Sequence, residues 1–370
     1  MSQLLIFDAY ELVPGAGKSI GIYNYSKNLW RALQQLRVDG ASELTWCVIC
    51  NVANVGDFPV TGPAERFRAH VVDSEPPGRF ARQHWLRWRA AWISRSLGAA
   101  GYFSPKGFLP AGMKLGLRGG RSIVVVHDLI PLWYRDRLPG YFGAVEEWLV
   151  NGGLLKATRN ADAVVAISQA TAADIRARTG REAGVHVVYN GVPFTPAGER
   201  PRPGPYLFAV SSALPHKNMD GLIGAYQSYR ASTSDPLPLV VCGGSPPAVA
   251  GVEAVRNLSD AALHGYYAHA RAVLFMSHIE GFGFPPVEAM LHGTPVLCSD
   301  IPSLREVTLG QAVYASPTDG HAAGNALARM LQDTQVTKPE AADARRRAAQ
   351  SFTWSACAAG VSRVVGESLQ

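Results

Sequence analysis

"AVLFMSHIEGFGFPPVEAMLHGTPVLCSD", residues 272–300, is the stretch that decides the fold. Its apolar opening, 272–277, reads as a strand, and a glycine loop follows. Pro285-Pro286 then fits a helix start, where a missing N–H costs little. The helix is expected over Val287–His292 and to stop at Gly293, with another strand directly after it. Strand, glycine loop, helix and strand in this order form the repeating unit of a parallel sheet covered by helices. Glu280 stands before the loop and Glu288 in the helix, with seven residues between them. Amides at Gly281, Gly283 and Phe284 lie where a helix N-terminus favours an anion. Glu288 is suited to accept both hydroxyls of a ribose, and Glu280 the hydroxyls of whatever the phosphates carry.

The same alternation runs outward in both directions. Strand-like runs precede it at 4–7, 45–50, 122–128, 163–168 and 185–190, with helix-like stretches at Tyr25–Leu36 and Tyr141–Thr158. The Pro/Gly-rich stretch "GVPFTPAGERPRPGP", 191–205, breaks the pattern and reads as a linker. The alternation resumes at 206–211, 237–244, 272–277 and 294–299. Two doubly wound halves are therefore expected, with ligands at the carboxyl ends of their strands and a cleft where those edges face.

Composition narrows the class. The chain of 370 residues is 47% apolar and 17% charged, which fits two folded domains and argues against disorder. The start "MSQLLIFDAYEL" lacks a basic segment followed by a long apolar one, and no apolar run approaches a membrane span. A cytoplasmic protein is expected. Cys47 and Cys50 form a C-x-x-C inside a strand, where residues three apart point to opposite faces. With Cys242, Cys298 and Cys357 they are expected to be buried, reduced thiols, with no metal. Residues 1–195 hold 22 Lys/Arg against 15 Asp/Glu, a balance of +7, whereas the remainder is at −1. A basic first half suits an anionic partner.

In its motif, "HIEGFGFPPVEAMLHGTPVLCSD" resembles the E-x7-E signature of the retaining glycosyltransferases of family 4. The likeness extends along almost the whole chain, through "VSSALPHKNMDGLIGAY" (210–226), "LPLVVCGG", "LSDAALHGYYAHARAVLFMS" (258–277), "SIVVVHDLIPL" (122–132), "AVVAISQATAADI" (163–175), "VHVVYNGV" (185–192) and "SFTWSACAAGV" (351–361). The resemblance implies an α/β protein of the GT-B fold: two Rossmann-like, doubly wound parallel-sheet domains facing across a cleft. The first domain, 1–195, would lie on the acceptor side. The second, 196–350, would bind a nucleotide sugar, and a helix in 351–370 would cross back to the first. Glu280, His127 and Lys217 take the catalytic positions in this resemblance. Glu288, His216, Ser212, Gly281, Phe282, Gly283, Phe284 and Gly21 take the donor-binding ones.

The chain departs from the family at two of these. Where many relatives carry arginine five or six residues before the lysine, it has Ser212 and Ser211. Where the mannosyltransferase-like branch often has arginine directly before Lys217, it has His216, which is only partly charged at neutral pH unless a phosphate raises it. Phosphate neutralisation is then left mainly to Lys217 and backbone amides. Asn218 is the expected N-cap of a helix over 219–229. His127 is expected beside the sugar, with a hydrogen-bonded core histidine as the ordinary alternative, and Asp128 is expected either there or capping the following turn.

"VPGAGKSIG", 13–21, invites a rival reading as the phosphate loop of an ATPase. The leading glycine is absent, Leu12 standing in its place. Gly21 is also expected to weaken a helix beginning directly after Gly-Lys-Ser. The family's glycine-rich loop after the first strand fits "SIGIYNYSKNL" better, with Gly17 and Gly21 allowing close approach of donor phosphate or acceptor. In "GRFARQHWLRWRAAWIS", 78–94, helical spacing puts Trp85, Trp88 and Trp92 on one face, flanked by Arg79, Arg82, Arg87 and Arg89. Trp85, Trp88, Arg82 and Arg89 are the expected contacts to a lipid-linked acceptor or a membrane surface. A core helix with a solvated basic rim is the alternative. No nucleic-acid signature accompanies the segment.

The implied reaction transfers a hexose from a nucleoside diphosphate to a glycan hydroxyl with retention. Mannose or rhamnose on GDP is favoured and UDP-sugars come second. The acceptor would be a growing bacterial surface glycan, O-antigen or exopolysaccharide, carried on a lipid diphosphate. That implies peripheral contact with the inner face of the plasma membrane. No D-x-D occurs, so no metal-held diphosphate is indicated and no cofactor is expected. A nucleotide-sugar epimerase of related fold and a non-catalytic subunit of a polysaccharide-synthesis complex are the rival classes.

Overall fold

A computed structural model describes residues 3–12, 20–36, 44–73, 77–117 and 120–370. The Gly-Lys-Ser loop of 13–19 lies outside the described residues. By contacts the chain divides into two units, Met1–Gly191 with Trp354–Gln370, and Val192–Thr353.

Unit one holds strands β1 (Gln3–Asp8), β2 (Leu44–Cys50), β3 (Phe67–Val71), β4 (Gly101–Ser104), β5 (Arg121–Val126), β6 (Ala163–Ala166) and β7 (Val185–Val187). They form one sheet in the order β3-β2-β1-β4-β5-β6-β7, all pairs parallel. A parallel sheet needs cover on both faces, which explains why its central strands are near-continuous apolar runs. Alternation along β1 serves both faces. Phe7 joins an aromatic cluster with Trp30, Trp46, Phe58 and Phe103, while Ile6 packs with Ile49, Trp85, Ile93 and Tyr102. The final helix, Trp354–Leu369, buries Cys357, Ala358, Val361, Val364 and Val365. Trp354 lies 5.7 Å from the ring of Tyr25.

Unit two holds β8 (Leu207–Val210), β9 (Leu239–Cys242), β10 (Val252–Val255), β11 (Ala272–Phe275), β12 (Val296–Ser299) and β13 (Val313–Ala315). Their order is β10-β9-β8-β11-β12-β13, again all parallel. The helices Met219–Ala231 and Gly320–Gln332 pack closely because small residues meet. A Cβ on Gly324 would lie 2.5 Å from that of Ser228.

Four strands have no counterpart in the sequence reading: β3, β4, β10 and β13. Three are edge strands, and the "FRAHV" of β3 and the "VEAV" of β10 each expose two or more residues, so neither reads as an apolar run. β4 is central but only four residues long. The first helix spans Ile20–Gln35, so it includes Gly21 and starts five residues before the expected Tyr25. Burial of Tyr23, Tyr25, Leu29, Trp30 and Leu33 along that helix outweighs the modest cost of one glycine in its first turn. The cysteines are free, and burial pushes Cys50 and Cys298 up to about 12, which keeps both thiols protonated. Cys242 departs from expectation in being only partly buried.

Candidate functional site

In each sheet the strand order reverses direction at one point, between β8 and β11 in unit two and between β1 and β4 in unit one. Loops leaving the carboxyl ends on either side of such a point run apart and open a crevice. In unit two those loops are 211–218 and 276–283, and they contain most of the expected catalytic and donor-binding residues.

Asn218 locks the two loops together. It sits in the left-handed region at φ 53°, and its Oδ1 accepts from Gly221 N at 3.1 Å, capping the helix Met219–Ala231. Its Nδ2 donates to Met276 O at 2.8 Å and to Pro317 O at 2.7 Å. His278 N donates to His216 O at 2.8 Å, a second tie between the loops. Held in this way, Lys217 Nζ reaches Glu280 Oε1 at 2.6 Å, and the two side chains are 23% and 9% exposed. Lys217 also stands 5.3 Å from the ring centroid of Phe275.

Glu280 leads into Gly281, Phe282 and Gly283. Phe282 is buried against Phe284 and Phe352, so it is a packing anchor for the loop. Gly283 is at φ +105°, and a Cβ there would lie 2.4 Å from Leu304 Cδ2, so glycine is required for both reasons. The helix it caps runs Phe284–Leu291, with prolines in its first turn. Pro285 and Pro286 have no N–H, so the donors at this helix start reduce to those around Gly283 and Phe284. Glu288 accepts from Tyr267 OH at 2.8 Å, and burial raises its pKa while that bond pulls it down. Ser212 Oγ accepts from Leu214 N at 3.3 Å within its own loop. The buried hydroxyls of Ser211 and Ser299, each directly after or at the end of a strand, have no hydrogen-bond partner among the described residues.

His216 corrects the sequence reading. Burial depresses it to about 4, against an opposing pull from Glu280, so it is neutral at physiological pH and adds no positive charge beside Lys217. His127, at the end of β5, is likewise held down to about 4 by burial. Its Nε2 lies 2.7 Å from Pro105 O, which only accepts, so Nε2 carries the proton and Nδ1 the lone pair. Its ring meets Tyr25 edge-on at 4.7 Å. Asp128 accepts from Ile130 N at 3.0 Å and caps the next turn. A Cβ on Gly21 would meet nothing within 4 Å, so no close contact among the described residues demands glycine there.

Burial also depresses His292 to about 4. A histidine whose folded pKa lies below its unfolded value of about 6.5 stabilises the fold fully above that value. Between pH 6.5 and 4 the unfolded chain binds the extra protons, so stability falls as pH falls. Urea melts should therefore show loss of stability through this window, on the order of 1–3 kcal/mol per histidine. Replacing His127, His216 and His292 together by asparagine should flatten that dependence, and a dependence left unchanged would contradict the assignment.

The switch point of unit one carries a cluster that sequence reading missed. Asp8, at the end of β1, is fully buried and accepts from Trp85 Nε1 at 3.2 Å, from Tyr102 OH and from Tyr10 N. Lys106 Nζ lies 2.9 Å from Asp8 Oδ2 and also pairs with Glu11. Burial raises the pKa of Glu11 against the pull of Lys106. Burial alone would lower Lys106, but Asp8 and Glu11 hold it above its usual value. No spacing signal joins residues 8, 11 and 106.

The tryptophan stripe does not exist as expected. Residues Trp85–Arg89 form a π-helical turn, in which Ala90 N donates to Trp85 O. That bond spans five residues, so Trp85 and Ala90 both face the core while Trp88 and Trp92 turn outward. Trp85 is 1% exposed and stacks on Tyr10 at 4.2 Å, so it cannot touch an acceptor or a membrane. Arg89 Nη1 lies 2.6 Å from Asp73 Oδ1, which ties this guanidinium to the fold.

Among the described residues no group of three or more His, Cys, Asp or Glu is placed to hold a metal ion, and no helix is long and apolar enough to cross a membrane. The model for "Glycosyltransferase Family 4" matches residues 57–195, and that for "Glycosyl transferases group 1" matches residues 195–351. The chain is 29% identical over 210 residues to the O-antigen chain mannosyltransferase RfbU of Salmonella typhimurium, covering 53% of this chain and 57% of that protein. It is 33% identical over 166 residues to O-antigen chain mannosyltransferase B of Escherichia coli, covering 41% and 43%. The matches thus span about half the length of these relatives. Among solved structures, a sucrose-phosphate synthase from Thermosynechococcus elongatus superposes with TM-score 0.69 at 18% identity, covering 99% of this chain and 98% of that one. Anabaena HepE, solved with UDP and glucose, superposes with TM-score 0.67 at 17% identity, covering 99% and 100%.

Proposed function

Because the chain belongs to glycosyltransferase family 4 and has its GT-B fold, we propose that it is a retaining hexosyltransferase. It moves mannose, or rhamnose, from a GDP-sugar to a glycan hydroxyl in bacterial surface-polysaccharide synthesis. The observation that carries this reading is the Lys217–Glu280 pair at the switch point of unit two. Its two members suit the two halves of a sugar diphosphate. A diphosphate draws the Lys217 ammonium to itself, which releases the Glu280 carboxylate to accept from sugar hydroxyls. Glu288, fixed by Tyr267, accepts the ribose hydroxyls. The relatives named as O-antigen mannosyltransferases support mannose and a surface-glycan acceptor.

In the reaction the bond from the anomeric carbon to the phosphate oxygen breaks and a bond to the acceptor oxygen forms on the same face. The acceptor proton passes to the departing phosphate oxygen. Negative charge grows on that phosphate, so Lys217 and the amides around Gly283 and Phe284 act more strongly in the transition state than before it. His216, being neutral, contributes hydrogen bonding and not charge. The role proposed for His127 is to offer its Nδ1 lone pair to a sugar hydroxyl. The acceptor is proposed to be linked to a lipid diphosphate, which brings the enzyme against the inner face of the plasma membrane.

Thermal melts with GDP, UDP, ADP and TDP test the site directly. A ligand bound only by the native state stabilises it by about 2.7 kcal/mol at a hundred times Kd. GDP should raise Tm in the wild type and do so neither in Lys217→Ala nor in Glu288→Ala. Stabilisation by ADP alone, kept in both variants and lost in Lys18→Ala, would return the opening glycine loop to the phosphate-loop reading and defeat this one.

A further inference from the structure

The helical segment 79–96 of unit one exposes three large aromatic rings. Phe80 is 85% exposed, Trp88 70% and Trp92 68%. Trp88 and Trp92 reach solvent because the π-helical turn assigns the inward positions to Trp85, Ala90 and Ile93. None of the three makes a ring contact or a hydrogen bond among the described residues. Between Gly78 and Gly98 the chain holds five arginines and a histidine and no acidic residue. Arg89 is committed to Asp73, whereas Arg87 is exposed and forms no ion pair among the described residues.

We infer that Phe80, Trp88 and Trp92 insert into the interfacial layer of an anionic lipid bilayer, with Arg82 and Arg87 meeting lipid phosphates. This deepens the membrane contact proposed above, assigns it to side chains, and rests on that reading. Tryptophan is at its most favourable where an apolar ring meets a polar headgroup layer. Basic side chains near an anionic surface strengthen that attachment, and salt weakens it. Charge also selects the occupant. A second copy of this chain would bring arginine-rich surface against arginine-rich surface, with no acidic residue in the segment to offset it. An anionic bilayer supplies both the missing counter-charge and an apolar layer for the rings.

The test is co-sedimentation of the whole protein with vesicles of phosphatidylcholine alone and of phosphatidylcholine mixed with phosphatidylglycerol. The wild type should bind the anionic vesicles, release in high salt, and show a blue-shifted tryptophan emission on binding. The double variant Trp88→Ser/Trp92→Ser should lose at least tenfold in partitioning, and Arg87→Glu should weaken it further. Equal partitioning of wild type and double variant, or none by either, overturns the inference. So does a change of oligomeric state between the two in sedimentation velocity, which would make the patch a self-contact. GDP melts on the same variants keep the two readings separate. Lost vesicle binding with an intact nucleotide response concerns only this surface, and a missing nucleotide response in the wild type concerns only the donor site.

Discussion

Lys106→Met is expected to lower the unfolding free energy of unit one by about 3–5 kcal/mol, the usual consequence of removing one partner from a buried ion pair. Methionine fills most of the space of the lysine stem but leaves Asp8 and Glu11 without their shared cation. Asp8 has no route to water, and its carboxylate already accepts from Trp85, Tyr102 and the Tyr10 amide. Those donors all point at the carboxylate oxygens, and none of them supplies the charge that Lys106 brings. The loss should appear as a lower urea midpoint with an unchanged slope, the mark of altered stability and not of an altered denatured state. Adding Asp8→Asn to Lys106→Met should recover part of the loss by removing the stranded charge. A loss below about 1 kcal/mol would place the triad among surface ion pairs and contradict its burial.

The second large effect concerns chemistry. Lys217→Ala should reduce turnover with a GDP-sugar by about 10²–10³-fold, the range seen when one preorganised donor is removed from developing negative charge. If Lys217 acts on the departing diphosphate, kcat and kcat/KM should fall together. A rise in KM alone would mean that the lysine serves ground-state binding. The substitution also leaves Glu280 without its ion partner, so rates should be compared per folded molecule. Glu280→Ala distinguishes the rival class. Full activity of a reconstituted complex carrying that variant would identify a non-catalytic subunit, while loss of most turnover fits a transferase. Release of free sugar or of an epimer from donor alone, with no acceptor present, would instead point to the epimerase class.

What could be read in the sequence, and what could not, divides along physical lines. Central strands other than the four-residue β4 were legible because burial on both faces forces uninterrupted apolar runs, as in "SIVVV" of β5 and "AVLF" of β11. Edge strands β3 and β10 carry solvent-facing residues on a backbone paired on one side, and their local composition resembles that of loops. The glycine loop and Asn218 were legible because each answers a local backbone need. The meeting of Lys217 with Glu280 has no local cause. It follows from the adjacency of β8 and β11 in the sheet, which is a property of topology. The same holds for Lys106 with Asp8 and Glu11. The tryptophan face was misread for a different reason, since periodicity arguments assume 3.6 residues per turn throughout. One backbone bond from Ala90 to Trp85 shifts every later residue around the axis.

Unit one is completed by residues that come after all of unit two in the chain, since Trp354–Gln370 join Met1–Gly191. The intervening 192–353 is contiguous and can close its own sheet as soon as it has been made. On the ribosome the order of birth is therefore not the order of completion. The first-made strands wait for Cys357, Val361 and Val365 to cover them, while the later-made half is already whole. The apolar surface that the last helix covers therefore stays open until the whole of unit two has been made.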